Sequence, residues 1–481
     1  MLSYIFIFVL GLAPALQAVF DLPLQLALQR AVLLGCLAWL ALRARGPGLP
    51  AALADKKFRP LWAAAALTLL ALLASPFRGH IFNEWGNYAA GLLIFLFASF
   101  LNKEERGRVE TAVLWGAGLI FALSLLQVFV LKNFLDRPPL TNLNALALYA
   151  VMVIPLTLER KYGWLLGAAM LVLVVWTQSL GAALAGLAAA GCYAVSRPGA
   201  RELKENAWLL LGLAALAAFV FWLLQADSVA GRLAWWRSAL EMFAARPLAG
   251  FGHASFTWAQ AGFQAAGAFR EHSIYAHNYY LEFLAENGLP AALAWFWLVF
   301  AAVRARAGLA KYALIAALAH SLVDFGLSVP ANFWLFCWLL SSPEEGAGTV
   351  KLPLRAYGAA LAFGALLLAA LLRQDYRSLS FEAARARAFS AARDGGLPAA
   401  EAELEPALRS KLFRAPALEL LGRLAVAGGA SPLAAARYYE GALLENRYSP
   451  AAWAALGKIY AAPGRERAAA GLEQRRLEVY K

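Results

Sequence analysis

Residues 231–256, GRLAWWRSALEMFAARPLAGFGHASF, and residues 272–290, HSIYAHNYYLEFLAENGLP, stand between runs of Leu, Ala, Val and Phe long enough to cross a bilayer. The segment from Ala226 to Gly288 is too rich in Arg, His, Trp and Glu to lie in lipid, and too long for a plain connector. Its reading decides the fold: a large external loop is inserted into a helical membrane protein, and chemistry is expected there. Three of the chain's five histidines, His253, His272 and His277, fall within it.

Outward from this loop, composition sets the class. The 481 residues are 62% hydrophobic and 15% charged, with mean hydropathy +0.59, whereas soluble domains average about 45–50% apolar and about 25% charged residues. A spanning helix takes roughly 20 apolar residues, and the runs allow about thirteen. The expected fold is therefore all-α: a polytopic membrane protein of about 13 transmembrane helices. Residues 1–224 form the first group of helices, 225–288 the large loop, 289–372 the last spans and 373–481 a helical domain. The apolar start has neither a basic leader nor a small-residue cleavage site, so the first span is expected to stay as an anchor. Cys36, Cys192 and Cys337 sit inside apolar runs at irregular spacing, which argues against a disulfide framework or a zinc site.

The net charge of +13 is spread as short clusters between spans, such as Arg43, Arg45, Lys56, Lys57 and Arg59, then Lys103, Arg106 and Arg108. This is the pattern of cytoplasmic loops, not of a nucleic-acid-binding stripe. Counting from it, the N-terminus starts inside and the large loop lies outside. His80, His253, His272, His277 and His320 all then fall at or near the outer face. After the last span, residues 453–462, WAALGKIYAA, carry Trp453, Leu456, Gly457 and Tyr460 at the spacing of a tetratricopeptide helix. Residues 431–450 and 417–429 read as the helices before it, so the tail is expected to be tetratricopeptide-like and open to protein contact.

Within the loop, His277 precedes Asn278, a good N-cap for YYLEFLAEN, and Gly288 closes that helix. A histidine held at a helix start is placed as a general base is. Glu282 and Glu286 share one helix face, and Glu286 is expected to meet water. Arg232 opens an amphipathic helix whose apolar stripe is Leu233, Trp236, Leu240 and Phe243, suited to the membrane surface. The guanidinium groups of Arg232, Arg237 and Arg246 match phosphate oxygens in a fork. His253 lies in the glycine turn GFGHASF. His320 and Asp324 stand at i, i+4 in a run near 310–327, either bracing that helix or lining a substrate cleft. Asn142 and Asn144 mark an outer span boundary, where they bind sugar or cap a helix.

Taken together these segments resemble the O-antigen ligase and polymerase superfamily of bacterial membrane glycosyltransferases. The ligase loop reads H-[NSQ]-x9-G-x-x-G; here His277 and Asn278 are followed, after nine residues, by Gly288, with Ala291 replacing the last glycine. Residues 231–256 are similar to the family's arginine-initiated segment before a Pro-x-x-G-x-G turn, which puts Arg232 on the loop arginine. TNLNALALY (141–149) and HSLVDFGLSVPAN (320–332) also look like family blocks, and the resemblance covers roughly residues 60–345. It implies transfer with inversion at the periplasmic face of the bacterial inner membrane, from an undecaprenyl-diphosphate-linked glycan to an acceptor hydroxyl on a lipid, a glycan or a protein. Neither metal nor other cofactor is implied. His277 is then the base and Arg232 the diphosphate partner, with Asn278, Arg237, His253, Asn142, Asn144, Arg78, His320 and Asp324 as candidate substrate contacts. Members with helical-repeat tails form a subset. Where many members have an arginine in a Thr-x-Ser-Arg-Gly-like stretch, this chain has TQSLGA with Leu180, so that role is absent or passes to Arg78, Arg137 or Arg237. The rival expectations are a protein O-oligosaccharyltransferase acting on pilin-like proteins and, more remotely, a lipid-linked glycan transporter without chemistry.

Overall fold

Backbone N–H and C=O groups inside hydrocarbon have no water to bond, so apolar runs of this kind must close their hydrogen bonds within helices. The computed structural model follows that rule; it describes residues 1–16, 21–46, 48–197, 226–264, 273–343, 349–351 and 353–480. The first group comprises α1 (Leu2–Leu12), α2 (Leu22–Arg45), α3 (Arg59–Ala74), α4 (Arg78–Ala98), α5 (Lys103–Leu125), α6 (Leu143–Thr157), α7 (Gly163–Trp176) and α8 (Leu180–Ser196). The loop contributes α9 (Ala226–Ala245), and α10 (Tyr279–Ala305), α11 (Ala310–His320) and α12 (Pro330–Leu340) follow. A helical stretch of 55 residues kinked at Gly396 (φ +73°), α13 (Leu354–Leu408), leads to α14 (Arg414–Ala427), α15 (Pro432–Glu445), α16 (Pro450–Tyr460) and α17 (Glu466–Tyr480). Two short strands, Leu49–Pro50 and Thr349–Val350, pair antiparallel.

Among the described residues five helical stretches are long and apolar enough to cross a membrane: Leu22–Arg45, Lys56–Ala74, Lys103–Leu131, Tyr279–Ala305 and Arg355–Leu408. The protein is thus a multi-pass, all-α membrane protein, but the expected thirteen full spans are not what these residues show. Five further apolar helices have only 10–17 residues, because polar caps and turns stop them early; the expected span before Ala226 lies outside the described residues. The run expected over 310–327 illustrates the shortening. It stops at His320, where Ser321 back-bonds to the Ala317 carbonyl at 2.7 Å and the chain turns before Gly326 and Pro330.

Helices in lipid gain little from hydrophobic exclusion and pack through small residues instead. On α5, a Cβ at Gly116 would meet the Gly11 carbonyl oxygen of α1 at 2.3 Å, so these backbones touch. Gly116→Val is expected to push α1 off α5 and lower the melting temperature of the detergent-solubilised protein by several degrees, whereas the same change at Gly118, with nothing within 4 Å, leaves it near the parent value. The main core gathers Trp295, Trp334, Trp338 and Tyr149, all essentially inaccessible; the Trp334 indole donates to the Asn87 carbonyl at 2.9 Å.

α13 runs on through the expected boundary at residue 372 as far as its kink at Gly396, so the last span continues without a break into the first part of the C-terminal region. A two-pronged ion pair fixes it: Arg30 on α2 meets Asp375 at 2.6 and 2.7 Å. Beyond it, α14–α15 and α16–α17 pack as helical hairpins with Trp453 and Leu456 buried. Tyr448 and Tyr480 place rings 4.9 and 5.0 Å from Phe251 and Phe263 of the large loop, so the C-terminal helices sit on the face that carries it.

Candidate active site

The geometry of the loop starts from two glycines. Residues 247–252, Pro-Leu-Ala-Gly-Phe-Gly, lie against the kink in α10 at Gly288. Gly252 donates to the Glu286 carbonyl at 2.6 Å, and Leu289 to the Pro247 carbonyl at 2.8 Å. Both backbones approach without side chains between them: a Cβ at Gly250 would meet the Glu286 oxygen at 2.2 Å, and one at Gly288 the Leu248 oxygen at 2.4 Å. Each glycine also has positive φ, +59° and +75°, the left-handed region that favours Gly. This clasp sets α9 beside the start of α10.

That start is capped as the sequence predicts. The Asn278 side chain accepts from the N–H groups of Tyr280 (3.1 Å) and Leu281 (3.0 Å), and its own amide donates to the Leu322 carbonyl at 3.0 Å. Tyr279 donates to the Ser321 carbonyl at 3.0 Å. The turn after α11 is therefore laced to the head of α10. His277 is held just outside it at φ +53°, a strained value for a residue with a side chain.

The lacing brings Asp324 between two partners. Asp324 Oδ1 lies 3.6 Å from His277 Nδ1, and Oδ2 lies 3.6 Å from Arg232 Nη2. Oδ1 also accepts the Phe325 N–H at 2.8 Å. α9 supplies Arg232, Trp235 and Trp236 from one face. The Trp235 ring stacks on His277 at 4.9 Å and 22°, Phe325 meets the imidazole edge-on at 4.9 Å, and Trp236 Nε1 donates to the His277 carbonyl at 3.4 Å. The Asp324 side chain is only 4% exposed and His277 18%, so the imidazole is the reachable member. Burial by itself raises the Asp324 carboxyl, but the facing His277 ring, His320 and the Phe325 N–H outweigh it and hold the group below the usual carboxylate range. An anionic Asp324 favours a proton on His277 Nδ1 and leaves the other ring nitrogen as the acceptor.

Other predicted residues lie elsewhere. Arg237 is exposed and pairs with Glu241 at 2.8 Å, on the side of α9 away from Asp324. Arg246 donates to the Ala74 carbonyl, and Arg78 to that of Leu73. Asn142 caps α6 by accepting from Asn144 and Ala145, a structural duty that also uses the Asn144 N–H. His253 faces Asn287 and Glu286, and burial lowers its imidazole to about 4, so it is neutral. His320 is fully buried at the end of α11, and Asp324 stands one turn past that end, its N–H donating to the His320 carbonyl at 3.0 Å. His272 is outside the described residues.

One expectation is corrected. Glu286 does not meet water; it is buried and accepts the N–H groups of Ala254 (2.8 Å) and Phe256 (2.9 Å), satisfying the turn after Gly252. Glu282, also buried, accepts from Ala276 at 2.7 Å and Ser328 at 2.6 Å. The glycine turn needed acceptors for its own N–H groups, and that demand is the sequence signal for Glu286. The stacking role of Trp235 was likewise missed, though it stands one turn along from Arg232.

No characterised protein matches the chain. Residues 165–296 match the family model described as O-Antigen ligase, a stretch that begins in α7 and ends inside α10. This region includes Arg232, His253 and His277 and stops short of His320 and Asp324, and its similarity supports a glycosyl-transferring membrane enzyme.

Proposed function

We propose that the chain transfers a glycan from undecaprenyl diphosphate to an acceptor hydroxyl at the periplasmic face of the bacterial inner membrane, in the manner of an O-antigen ligase or polymerase. The observation that carries this reading is the pairing of His277 and Arg232 with the two oxygens of one buried carboxylate. In the reaction the acceptor hydroxyl gives its proton to the free ring nitrogen of His277 as its oxygen bonds the anomeric carbon. The bond from that carbon to the diphosphate oxygen breaks, and the electron pair leaves with the lipid diphosphate. Arg232, always charged, meets the negative charge that grows on the leaving group. Asp324 stays ionised and holds both partners. The separations of 3.6 Å exceed a hydrogen bond, as is common before substrate closes a site. Arg78 and Arg237 stand outside this arrangement, so Arg232 is the diphosphate partner beside His277, and the role of the arginine missing at Leu180 is absent or falls to Arg137.

The acceptor is a lipid or growing glycan in the first reading. A protein acceptor is the second, favoured by the C-terminal hairpins packed against the loop through Tyr448 and Phe251. A deletion strain separates them: loss of long-chain surface lipopolysaccharide marks the first, loss of pilin-like glycoprotein the second. Complementation with His277→Ala or Arg232→Ala is expected to restore neither product at normal protein level, and restoration by both variants overturns the site.

A further inference from the structure

A polar cavity lies beside the His277 segment, with Tyr275 and Tyr279 in its wall. It holds about 260 Å³ between α4, the head of α10, the turn at His253 and residues 327–333. At about 30 Å³ per water this is room for some nine waters, the space of one sugar ring, and it is below the roughly 300–1,000 Å³ of sites for larger organic ligands. Its wall is mixed. Glu84, Glu282 and Glu286 supply carboxylates, Gln25 and Asn87 supply amides, and Trp258 and Tyr275 supply ring faces.

Several details point to a ligand. Tyr88 lines the cavity, is 1% exposed, and its hydroxyl, closed off from the open space as the side chains stand, meets no hydrogen-bond partner. A buried hydroxyl left in that state costs about 1–3 kcal/mol, so a native site normally provides a partner. Glu84 is held through Oε2 alone by Gln25 (3.1 Å) and Asn87 (2.9 Å), and a carboxylate has about four acceptor positions. Glu84 thus keeps Oε1 for a hydroxyl donor, while both oxygens of Glu282 and of Glu286 already accept one bond each. At the rim the exposed indole of Trp258 is held flat on His80 at 4.1 Å and 22°, a preformed apolar plate. No three acidic, His or Cys side chains among the described residues converge so as to hold a metal ion. Tyr275 and Tyr279 bracket His277 in sequence, and Tyr275 stacks on Phe325 at 4.2 Å, the ring that touches His277.

We infer that this cavity binds a single sugar ring, its hydroxyls taken by the carboxylates and Tyr88 and its C–H face laid on Trp258. The inference rests on the proposed function only in naming the parent glycan, which is either the acceptor or the donor. Binding is measured on the purified full chain in detergent by calorimetry, with methyl glycosides of glucose, N-acetylglucosamine and rhamnose as probes. At least one is expected to bind saturably. Trp258→Ala and Tyr88→Phe are each expected to weaken it about 2–10-fold, while Gly457→Ala, in open space on α16, leaves it unchanged. Tyr88→Phe keeps the ring and its packing, so a merely structural hydroxyl would leave sugar affinity unmoved. Displacement of the probe by an undecaprenyl-diphosphate-linked sugar, lost in Arg232→Ala, assigns the ring to the donor. Displacement by an acceptor oligosaccharide regardless of Arg232 assigns it to the acceptor. Absence of saturable binding by all three probes, or parent affinity in both cavity variants, overturns the inference. Because binding needs no transfer, a protein that binds sugar and transfers none separates this claim from the catalytic one.

Discussion

Asp324→Asn is expected to lower glycan transfer about 10²–10⁴-fold while the protein still folds and inserts. The substitution keeps the shape of the side chain, so packing around Phe325 and the Phe325 N–H bond can persist. What it removes is a carboxylate shared by two partners at 3.6 Å each. An amide has one oxygen and one NH₂, so it cannot accept from both His277 and Arg232. Whichever way it turns, either the imidazole loses the partner that selects its tautomer or the guanidinium faces a donor. Single-turnover rates on purified variant and parent measure the loss. The same residue gives a pH signature. Its folded carboxyl lies below its ordinary value, so the stability it contributes is fully present above about pH 3.9, the unfolded value, and is lost as pH falls through the folded one. The variant should lack that acid limb in melting curves taken below about pH 4. A parent-like rate in Asp324→Asn would show that the carboxylate is structural only.

Gly288→Val is expected to have the largest effect on folding, with a loss of at least about 3 kcal/mol and little monodisperse protein recovered. Two costs coincide. A β-branched residue at φ +75° is strained by about 1–3 kcal/mol, and its Cβ would stand 2.4 Å from the Leu248 oxygen, which belongs to backbone and cannot swing aside. The clasp between residues 247–252 and the α10 kink would open, and α9 would lose its position over His277. Gly457→Ala, in open space on α16, is the control and should be close to neutral. Recovery by fluorescence-detected size exclusion and melting temperature reads both. Normal recovery of Gly288→Val would mean that the clasp does not organise the loop.

How much of this was legible in the sequence depends on the distance over which each feature is encoded. The helix start at Asn278 and the break at Gly288 are local, set by one capping side chain and one residue able to take positive φ, and both were readable. The helical class was readable from composition, because hydrocarbon leaves the backbone no other solution. Span lengths were less so. A run such as 310–327 is apolar enough to continue, and only the tertiary lacing of Ser321 and Leu322 to the head of α10 ends it at His320. The i, i+4 spacing of His320 and Asp324 survives that end, because the Asp324 N–H still donates to the His320 carbonyl at 3.0 Å. The partner set of Asp324 is long-range, drawn from positions 232 and 277, and no local pattern announces it. Glu286 was misread because amphipathic spacing says which residues share a face but not whether that face meets water or a turn with free N–H groups.

The most direct test of the account is turnover by the purified full chain in proteoliposomes, given an undecaprenyl-diphosphate-linked glycan and an acceptor bearing free hydroxyls. The parent protein should form the glycosylated acceptor and release undecaprenyl diphosphate, and His277→Ala and Arg232→Ala should form neither while melting as the parent does. Parent-level turnover in both variants would contradict a site built from an imidazole and a guanidinium on one shared carboxylate.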